Sequence, residues 1–298
     1  MGERTPSTEV ERLTPEEAFL LFADETRVDI LRVLGEAWAD EWPGLLSYAE
    51  LMDRVDATDS GRFNYHLQRL VGQFVRHREE RYKLNYRGLL VYRSIVAGTF
   101  TEDVTVDPFE LDATCHDCGA PLRASQQRDI FVIRCSDADC ACKYVSTHLP
   151  PRGFHDRTRE ELLRAIDQRT RQQLSLFSSG ICPWCAGTAS GSVGSRDDSW
   201  NNHTLEFDVT FACDHCGGFV EAAVGRLLTV HHEVVSLYAD RGIDLTTTPG
   251  WELTFAVTDY RTEVLSEDPL RLGVTVGPDE SHRAVVTADG SVAAVRER

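Results

Sequence analysis

The sequence predicts an α+β chain in consecutive pieces: helices that end in a basic hairpin, two cysteine-pinned β units with helices, and a small antiparallel sheet at the C-terminal end. Three observations carry this. Apolar residues recur at helical spacing from Thr14 to about Val71 and then switch to alternation at Val75. The nine cysteines all lie between Cys115 and Cys216, mostly in knuckle spacings. Beyond Trp251 the apolar residues come in short alternating runs, punctuated by Gly277-Pro278 and Asp289-Gly290. A chain of 298 residues is long enough for two or three domains. The boundaries read as a polar, disordered tail over 1–12, a helical and hairpin domain over 13–100 and a linker over 101–112. A first cysteine unit with its helix then covers 113–178, a second covers 179–240, and a β region closes the chain over 241–298.

The first helix starts at Thr14-Pro15-Glu16-Glu17, which offers an N-cap threonine, proline at the first helical position and glutamate at the third. A second helix is expected from Glu25 to Trp38, with Val28, Ile30, Leu31 and Leu34 inward. Ser47-Tyr-Ala-Glu50 is another capping box, opening a helix that buries Leu51, Met52 and Val55. Asp59 or Ser60 caps the next helix. On a helical wheel its core face is Phe63, Leu67, Leu70 and Val71. The opposite face is Gly61, Arg62, Tyr65, Gln68 and Arg69, with Asn64 and His66 on the flanks. Arginine can bond guanine bidentately and Gln or Asn can bond adenine, so such a face suits a major groove. The alternation Val75-Arg76-His77-Arg78 against Arg81-Tyr82-Lys83-Leu84 is a hairpin, with Arg76, Arg78, Arg81 and Lys83 as phosphate contacts. Its turn, Glu79-Glu80, lacks the Gly or Asn of the most favoured two-residue turns, which implies a short, mobile wing. A helix from Tyr86 to Ala97 closes the domain. Helix, turn, helix and basic hairpin in this order make an N-terminal winged helix-turn-helix.

Charge supports that reading locally and opposes it globally. The formal net charge is −17, and acidic surfaces repel nucleic acid. From Arg54 to Arg93, however, nine Arg or Lys face four Asp or Glu, a net +5 in a chain that otherwise carries −22. Lysine occurs only at Lys83 and Lys143. Excess acid with almost no lysine resembles proteins of salt-loving archaea.

The stretch Phe22-Ala-Asp-Glu-Thr-Arg-Val-Asp-Ile-Leu-Arg-Val-Leu34, His66-Leu67 with Leu70, and Val75 through Tyr82-Lys-Leu84 resembles winged-helix repressors of the ArsR type. The likeness covers residues 13 to 100. It implies a homodimer on double-stranded DNA with palindromic operators. Metal-sensing members place cysteine ligands near the reading motif. Here no cysteine precedes Cys115, so that mechanism does not carry over. The whole chain, including the stretch His232-Glu-Val-Val-Ser-Leu-Tyr238, is similar to winged-helix regulators of haloarchaea.

Cys115-His-Asp-Cys118, a strand at Ile130 to Arg134, then Cys135, Cys140 and Cys142 before a strand at Tyr144 to His148 form a zinc-ribbon arrangement. Zn2+ takes four soft ligands in a tetrahedron, and two knuckles supply two each. Cys115, Cys118 and Cys135 are ligands on this reading; Cys140 or Cys142 completes the set, with Cys140 preferred. Cys182-Pro-Trp-Cys185 and Cys213-Asp-His-Cys216 are two matched knuckles and give a second structural Zn2+ site. Between them a loose Gly/Ser/Asp loop (Gly187 to Asn202) precedes a strand from Thr204 to Ala212. His116 and His215 sit inside knuckles that already have enough thiolates. A helix spans His155 to Phe177, its outer faces lined by Arg157, Arg159, Arg164, Arg169 and Arg171. A second helix is expected from Leu227 to Ala239, where adjacent His231 and His232 point apart and make a poor ligand pair. The order knuckle, strand, knuckle, strand, helix thus occurs twice, which suggests an internal duplication.

No apolar run of membrane-spanning length and no secretory h-region is present, so a cytoplasmic location is expected. No nucleophile with an adjacent base, phosphate-cradling loop or His-Glu-x-x-His motif points to an enzyme. The leading expectation is therefore a sequence-specific transcriptional regulator. Its metal-pinned C-terminal part would serve dimerisation or take a small-molecule or protein effector. The alternative is an adaptor whose winged helix docks protein or RNA.

Overall fold

The computed structural model describes residues 13–127, 129–140, 142–195 and 204–298. The expected tail over 1–12 and part of the Gly187 to Asn202 loop lie outside them. The fold is α+β and divides into two compact units, Met1–Glu102 and Asp103–Arg298.

In the first unit the capping signals act as the sequence implies. Helix α1 (Pro15–Leu20) carries the reciprocal Thr14/Glu17 box, and α3 (Tyr48–Arg54) the Ser47/Glu50 box. Helix α2 (Glu25–Asp40) runs two residues beyond Trp38. Helix α4 (Ser60–Leu70) is capped by Asp59, whose Oδ1 accepts from the N–H groups of Gly61 and Arg62 at 2.9 and 3.0 Å. Helix α5 (Tyr86–Val96) is capped by Asn85. Ile30, Leu31 and Leu34 of α2 meet Leu51, Phe63, Leu67 and Leu70 in one core. Strand β1 (Leu46–Ser47), too short to show in the sequence pattern, adds to the hairpin of β2 (Val75–Arg78) and β3 (Arg81–Leu84) in the order β1-β3-β2.

The turn between β2 and β3 differs from expectation. Glu79 and Glu80 both take left-handed backbone angles, φ +51° and +62°, so the hairpin adopts the twist-matched two-residue turn without Gly or Asn. The ladder Val75↔Leu84 through Arg78↔Arg81 requires that tight reversal. Two non-glycine residues therefore bear left-handed strain, of the order of 1–2 kcal/mol each.

The second unit begins earlier than expected. Residues 109–112, placed in the linker by their acidic, helix-poor surroundings, belong to β4 (Phe109–Thr114), which buries Phe109 and Leu111. Strands β5 (Pro121–Gln127), β6 (Ile130–Cys135) and β7 (Lys143–Thr147) complete an antiparallel sheet in the order β4-β5-β6-β7. Helix α6 (Arg159–Ser178) follows, with a Thr158/Glu161 capping box. Strands β8 (Ala189–Ser195), β9 (Phe207–Cys213) and β10 (Phe219–Ala223) form a second sheet in sequential order. β8 replaces the expected loop: Ala-Ser-Gly-Ser-Val-Gly-Ser has weak strand propensity, yet it pairs with β9 along its whole length. Gly191 explains part of this, since a side chain there would collide with the Phe211 ring and the Asp289 carbonyl.

Two further expectations are corrected. The helix from Leu227 to Ala239 is broken into α7 (Val224–Leu228) and α8 (His232–Ala239). The run Trp251, Leu253, Phe255, Val257 is a turn and the short helix α9 (Thr254–Val257) rather than a strand, with Trp251 packed into the core of the first cysteine sheet. The C-terminal sheet consists of β11 (Thr262–Glu267), β12 (Leu270–Val276), β13 (His282–Thr287) and β14 (Val292–Glu297) in sequential order. Leu272, Val274 and Val286 share a core with Val209 and Phe211 of β9 and with Leu227 and Val234. The segments 179–240 and 241–298 thus bury one another's apolar faces.

Arg171, assigned to an outer face of its helix, is buried. Its Nε donates to Asp167 Oδ2 at 2.5 Å, and its other nitrogens reach the carbonyls of Thr248 and Thr229 at 2.5 and 3.4 Å. Asp167 Oδ1 also accepts from Arg226 Nη2 at 2.8 Å and from Gly250 N–H at 3.0 Å. A buried carboxylate that accepts from two guanidinium groups offsets a desolvation cost neither arginine could bear alone. A side chain at Gly250 would collide with the Arg226 guanidinium, so the network needs glycine there.

Candidate nucleic-acid interface and metal centres

Helix α4 separates its residues as the wheel suggests. Phe63, Leu67 and Leu70 are buried, while Arg62, Asn64, Tyr65, Gln68 and Arg69 are exposed. Gln68 Nε2 donates to Asn64 Oδ1 at 3.4 Å, one turn back along that face. His66 does not belong to the exposed set. Its ring is buried, and its Nδ1 lies 3.3 Å from Asp24 Oδ1 at the start of α2. The i, i+3 spacing from Phe63 allows this without requiring it, because residue 66 stands on the flank of the apolar stripe.

The hairpin register sorts the wing. Arg76 is opposite Lys83 and Arg78 opposite Arg81, while Val75 faces Leu84 and His77 faces Tyr82. Paired residues share a face of a sheet, so all four cations project from one side and the rings and aliphatic groups from the other. The His77 and Tyr82 rings stack at 4.3 Å with a 7° interplanar angle, which braces the second face. Like charges directly opposite each other are unfavourable in isolation. Two such pairs on one exposed face are a local arrangement that an anion would relieve. Arg78 Nε lies 3.3 Å from Glu79 and Arg81 Nη1 donates to the Leu45 carbonyl at 3.3 Å, so two of the four cations have partial internal partners.

The cysteines assemble into two tetrads able to hold metal ions: Cys115, Cys118, Cys135 and Cys140, and Cys182, Cys185, Cys213 and Cys216. In the first, Cys115 and Cys140 Sγ are 3.6 Å apart and Cys118 and Cys135 Sγ 3.4 Å. In the second the corresponding separations are 3.6 Å (Cys182 to Cys216) and 3.5 Å (Cys185 to Cys213). A tetrahedral ion with bonds of about 2.3 Å to sulfur places its ligands roughly 3.8 Å apart, so both tetrads match that donor set closely.

The knuckles explain why the sulfurs converge. Cys115 N–H donates to the Ala120 carbonyl at 2.8 Å, and Gly119 N–H returns to the Cys115 carbonyl at 3.0 Å. The same pair recurs at Cys182 with Gly187 and Ala186, and at Cys213 with Gly218 and Gly217. In the fourth knuckle Cys135 N–H reaches the Cys142 carbonyl at 2.8 Å, two residues further along, as two extra residues between the ligands require. The second ligand stands two positions before the acceptor in each of the other knuckles. Here that position is Cys140, so geometry and hydrogen bonding choose it over Cys142. The sheets repeat the likeness: Leu122 pairs with Cys135 and Ala189 with Cys213, each four residues after its knuckle. Strand orders β5-β6-β7 and β8-β9-β10 agree, as an internal duplication requires; β4 and the broken second helix are where the halves differ.

Surrounding groups are oriented on the first tetrad. The Tyr144 hydroxyl accepts from His116 N–H at 2.9 Å and donates to Cys115 Sγ at 3.2 Å. His116 is turned away from the sulfurs, with Nε2 2.9 Å from the Trp251 carbonyl and Nδ1 3.3 Å from Thr254 Oγ1. Burial opposes ionisation of Cys115, but the Tyr144 hydroxyl and the N–H groups of Cys118 and Asp117 outweigh it and bring the thiol down to about 6. Cys213 is likewise held at about 6 by the N–H groups of Cys216 and His215. Each tetrad therefore contains one thiol held ready as a thiolate.

Among the described residues no helix is long and apolar enough to cross a membrane. Two family models match the chain: domain of unknown function DUF7351 over residues 112–292 and domain of unknown function DUF7347 over residues 15–95. No curated protein and no solved structure matches it. The longer match covers more than half of the sequence, and the chain belongs to the DUF7351 family.

Proposed function

We propose that this DUF7351 chain is a sequence-specific DNA-binding transcriptional regulator, similar to winged-helix repressors of the ArsR type, that binds duplex DNA as a homodimer. The observation that carries the reading is the pairing of two surfaces in one unit. Helix α4 exposes Arg62, Asn64, Tyr65, Gln68 and Arg69 above a buried apolar stripe, and the adjoining hairpin presents Arg76, Arg78, Arg81 and Lys83 from one face. The first set matches the donors and acceptors of base edges, the second matches phosphates. His66, buried against Asp24, is left out.

In this reading the two tetrads hold Zn2+ structurally. Four cysteines per site leave no position for substrate, and closed sites of this kind stabilise a fold. Their formal charge of about −2 each makes the second unit a poor partner for phosphate and suits it to dimerisation or to an effector. The protein works inside the cell and catalyses no reaction of its own. Genome-wide crosslinking of the tagged chain tests the proposal. Enrichment at promoters supports it. Enrichment on RNA, or no nucleic-acid enrichment, favours an adaptor that uses the winged helix for docking.

A further inference from the structure

Eight of the nine cysteines are used by the two tetrads, and the ninth, Cys142, lies against one of them. It is fully buried, with its Sγ 3.5 Å from Cys140 Sγ. Its position in the knuckle is unusual. The equivalent residues in the other three knuckles are Ala120, Gly187 and Gly218, the carbonyls that accept from the first ligand's N–H. At Gly187 and Gly218 an added Cβ would come within 3.1 and 3.3 Å of the neighbouring ligand sulfur. A side chain here is thus directed to the metal ligand, and this knuckle alone supplies a thiol.

A carboxylate meets the same pair from the opposite knuckle. Asp117 Oδ2 is 3.6 Å from Cys140 Sγ, while its Oδ1 accepts from the Tyr260 hydroxyl at 3.1 Å. Tyr260 therefore orients the carboxylate as outer groups orient metal ligands elsewhere. Asp117, Cys140 and Cys142 lie mutually within ligand distance of one ion. Asp117 is exposed and the two thiols are buried, so the cluster opens to solvent on the carboxylate side.

We propose that Asp117, Cys140 and Cys142 form a third metal site, which shares the Cys140 sulfur with the first tetrad. Two thiolates and one carboxylate select a thiophilic divalent ion such as Zn(II) or Cd(II). Three protein ligands leave one coordination position for water, which makes this ion exchangeable where the tetrads are closed. Charge favours it as well. A tetrathiolate ion with Asp117 beside it carries about three negative charges, and a second divalent cation that displaces the Cys142 proton lowers that to about two.

The inference rests on the tetrathiolate reading of the first cluster, and one experiment separates the two. The full chain is loaded with excess 113Cd(II), then examined by native mass spectrometry and cadmium NMR. The wild type is expected to hold one ion more than the two tetrads account for. The extra ion should leave first on mild chelation, and its resonance should couple to a tetrad ion through the Cys140 sulfur. Cys142→Ala, which installs the residue found at Ala120, and Asp117→Asn, at an exposed position, should each lose that ion and keep the other two. A wild type that saturates at two ions, or a Cys142→Ala chain that keeps the third, overturns the proposal. Fewer than two ions in the wild type overturns the tetrathiolate reading and this site with it.

Discussion

In the first unit, Ile30, Leu31, Leu34, Phe63, Leu67 and Leu70 interlock across helices whose ends are set by Thr14, Ser47, Asp59 and Asn85. In the second, three sheets are joined through helical connections and pinned by cysteine tetrads and a buried carboxylate between two guanidinium groups. The first solves its packing with local signals, the second with contacts between residues far apart in the chain. The difference teaches where each unit is vulnerable. Apolar helices tolerate loss of any one cap, whereas a tetrad or an ion network fails when one member is removed.

Metal removal should therefore divide the molecule most sharply. Structural Zn2+ in small domains contributes on the order of 10–16 kcal/mol of binding free energy. Chelation at neutral pH is expected to abolish the cooperative melting of 103–298 while the transition of the first unit persists in calorimetry. Equal loss of both transitions, or of neither, would break the comparison. Protons should act in the same direction. Thiolates bind metal and thiols do not, so apparent affinity weakens as pH falls. With Cys115 and Cys213 near 6, release of metal should steepen below about pH 6. A competition titration with a chromophoric chelator across pH measures this.

Asp167→Ala comes next. It strands two buried arginines and is expected to cost about 3–5 kcal/mol in the second unit, read from its urea midpoint. The urea transition of the first unit should stay in place. The smallest effect lies in the wing. Replacing Glu80 by Gly removes left-handed strain and should stabilise the first unit by about 1 kcal/mol, seen as a raised melting temperature. No gain there would mean that the Glu79-Glu80 turn carries no strain.

The same contrast decides how much could be read in advance. The helices of the first unit were legible because caps and the 3.6-residue period are local. The tetrads were legible where cysteine spacing encodes the knuckle; in the longer one spacing left Cys140 and Cys142 both open, and the hydrogen bond from Cys135 N–H to the Cys142 carbonyl is what separates them. Burial of Arg171 was not, because the carbonyls of Thr229 and Thr248 that receive it are remote in sequence and nothing near Arg171 distinguishes it from Arg164. Strand β8 was hidden by Ser and Gly, and at Gly191 the missing side chain reflects the approach of Phe211 and Asp289 rather than a local preference. His66 shows the limit for the interface. Its helical spacing places it on the flank, and only packing against Asp24 reveals that it faces inward.

The reading of the first unit as a DNA reader rests on α4 and the wing, and selection from a random duplex library tests it most directly. At one fixed salt concentration, the wild-type chain should enrich a two-fold symmetric motif. Arg62→Ala and Arg69→Ala should each weaken binding to that motif by about 1–3 kcal/mol without lowering the melting temperature of the first unit. Failure to enrich any motif, or unchanged affinity in both variants, would contradict the account.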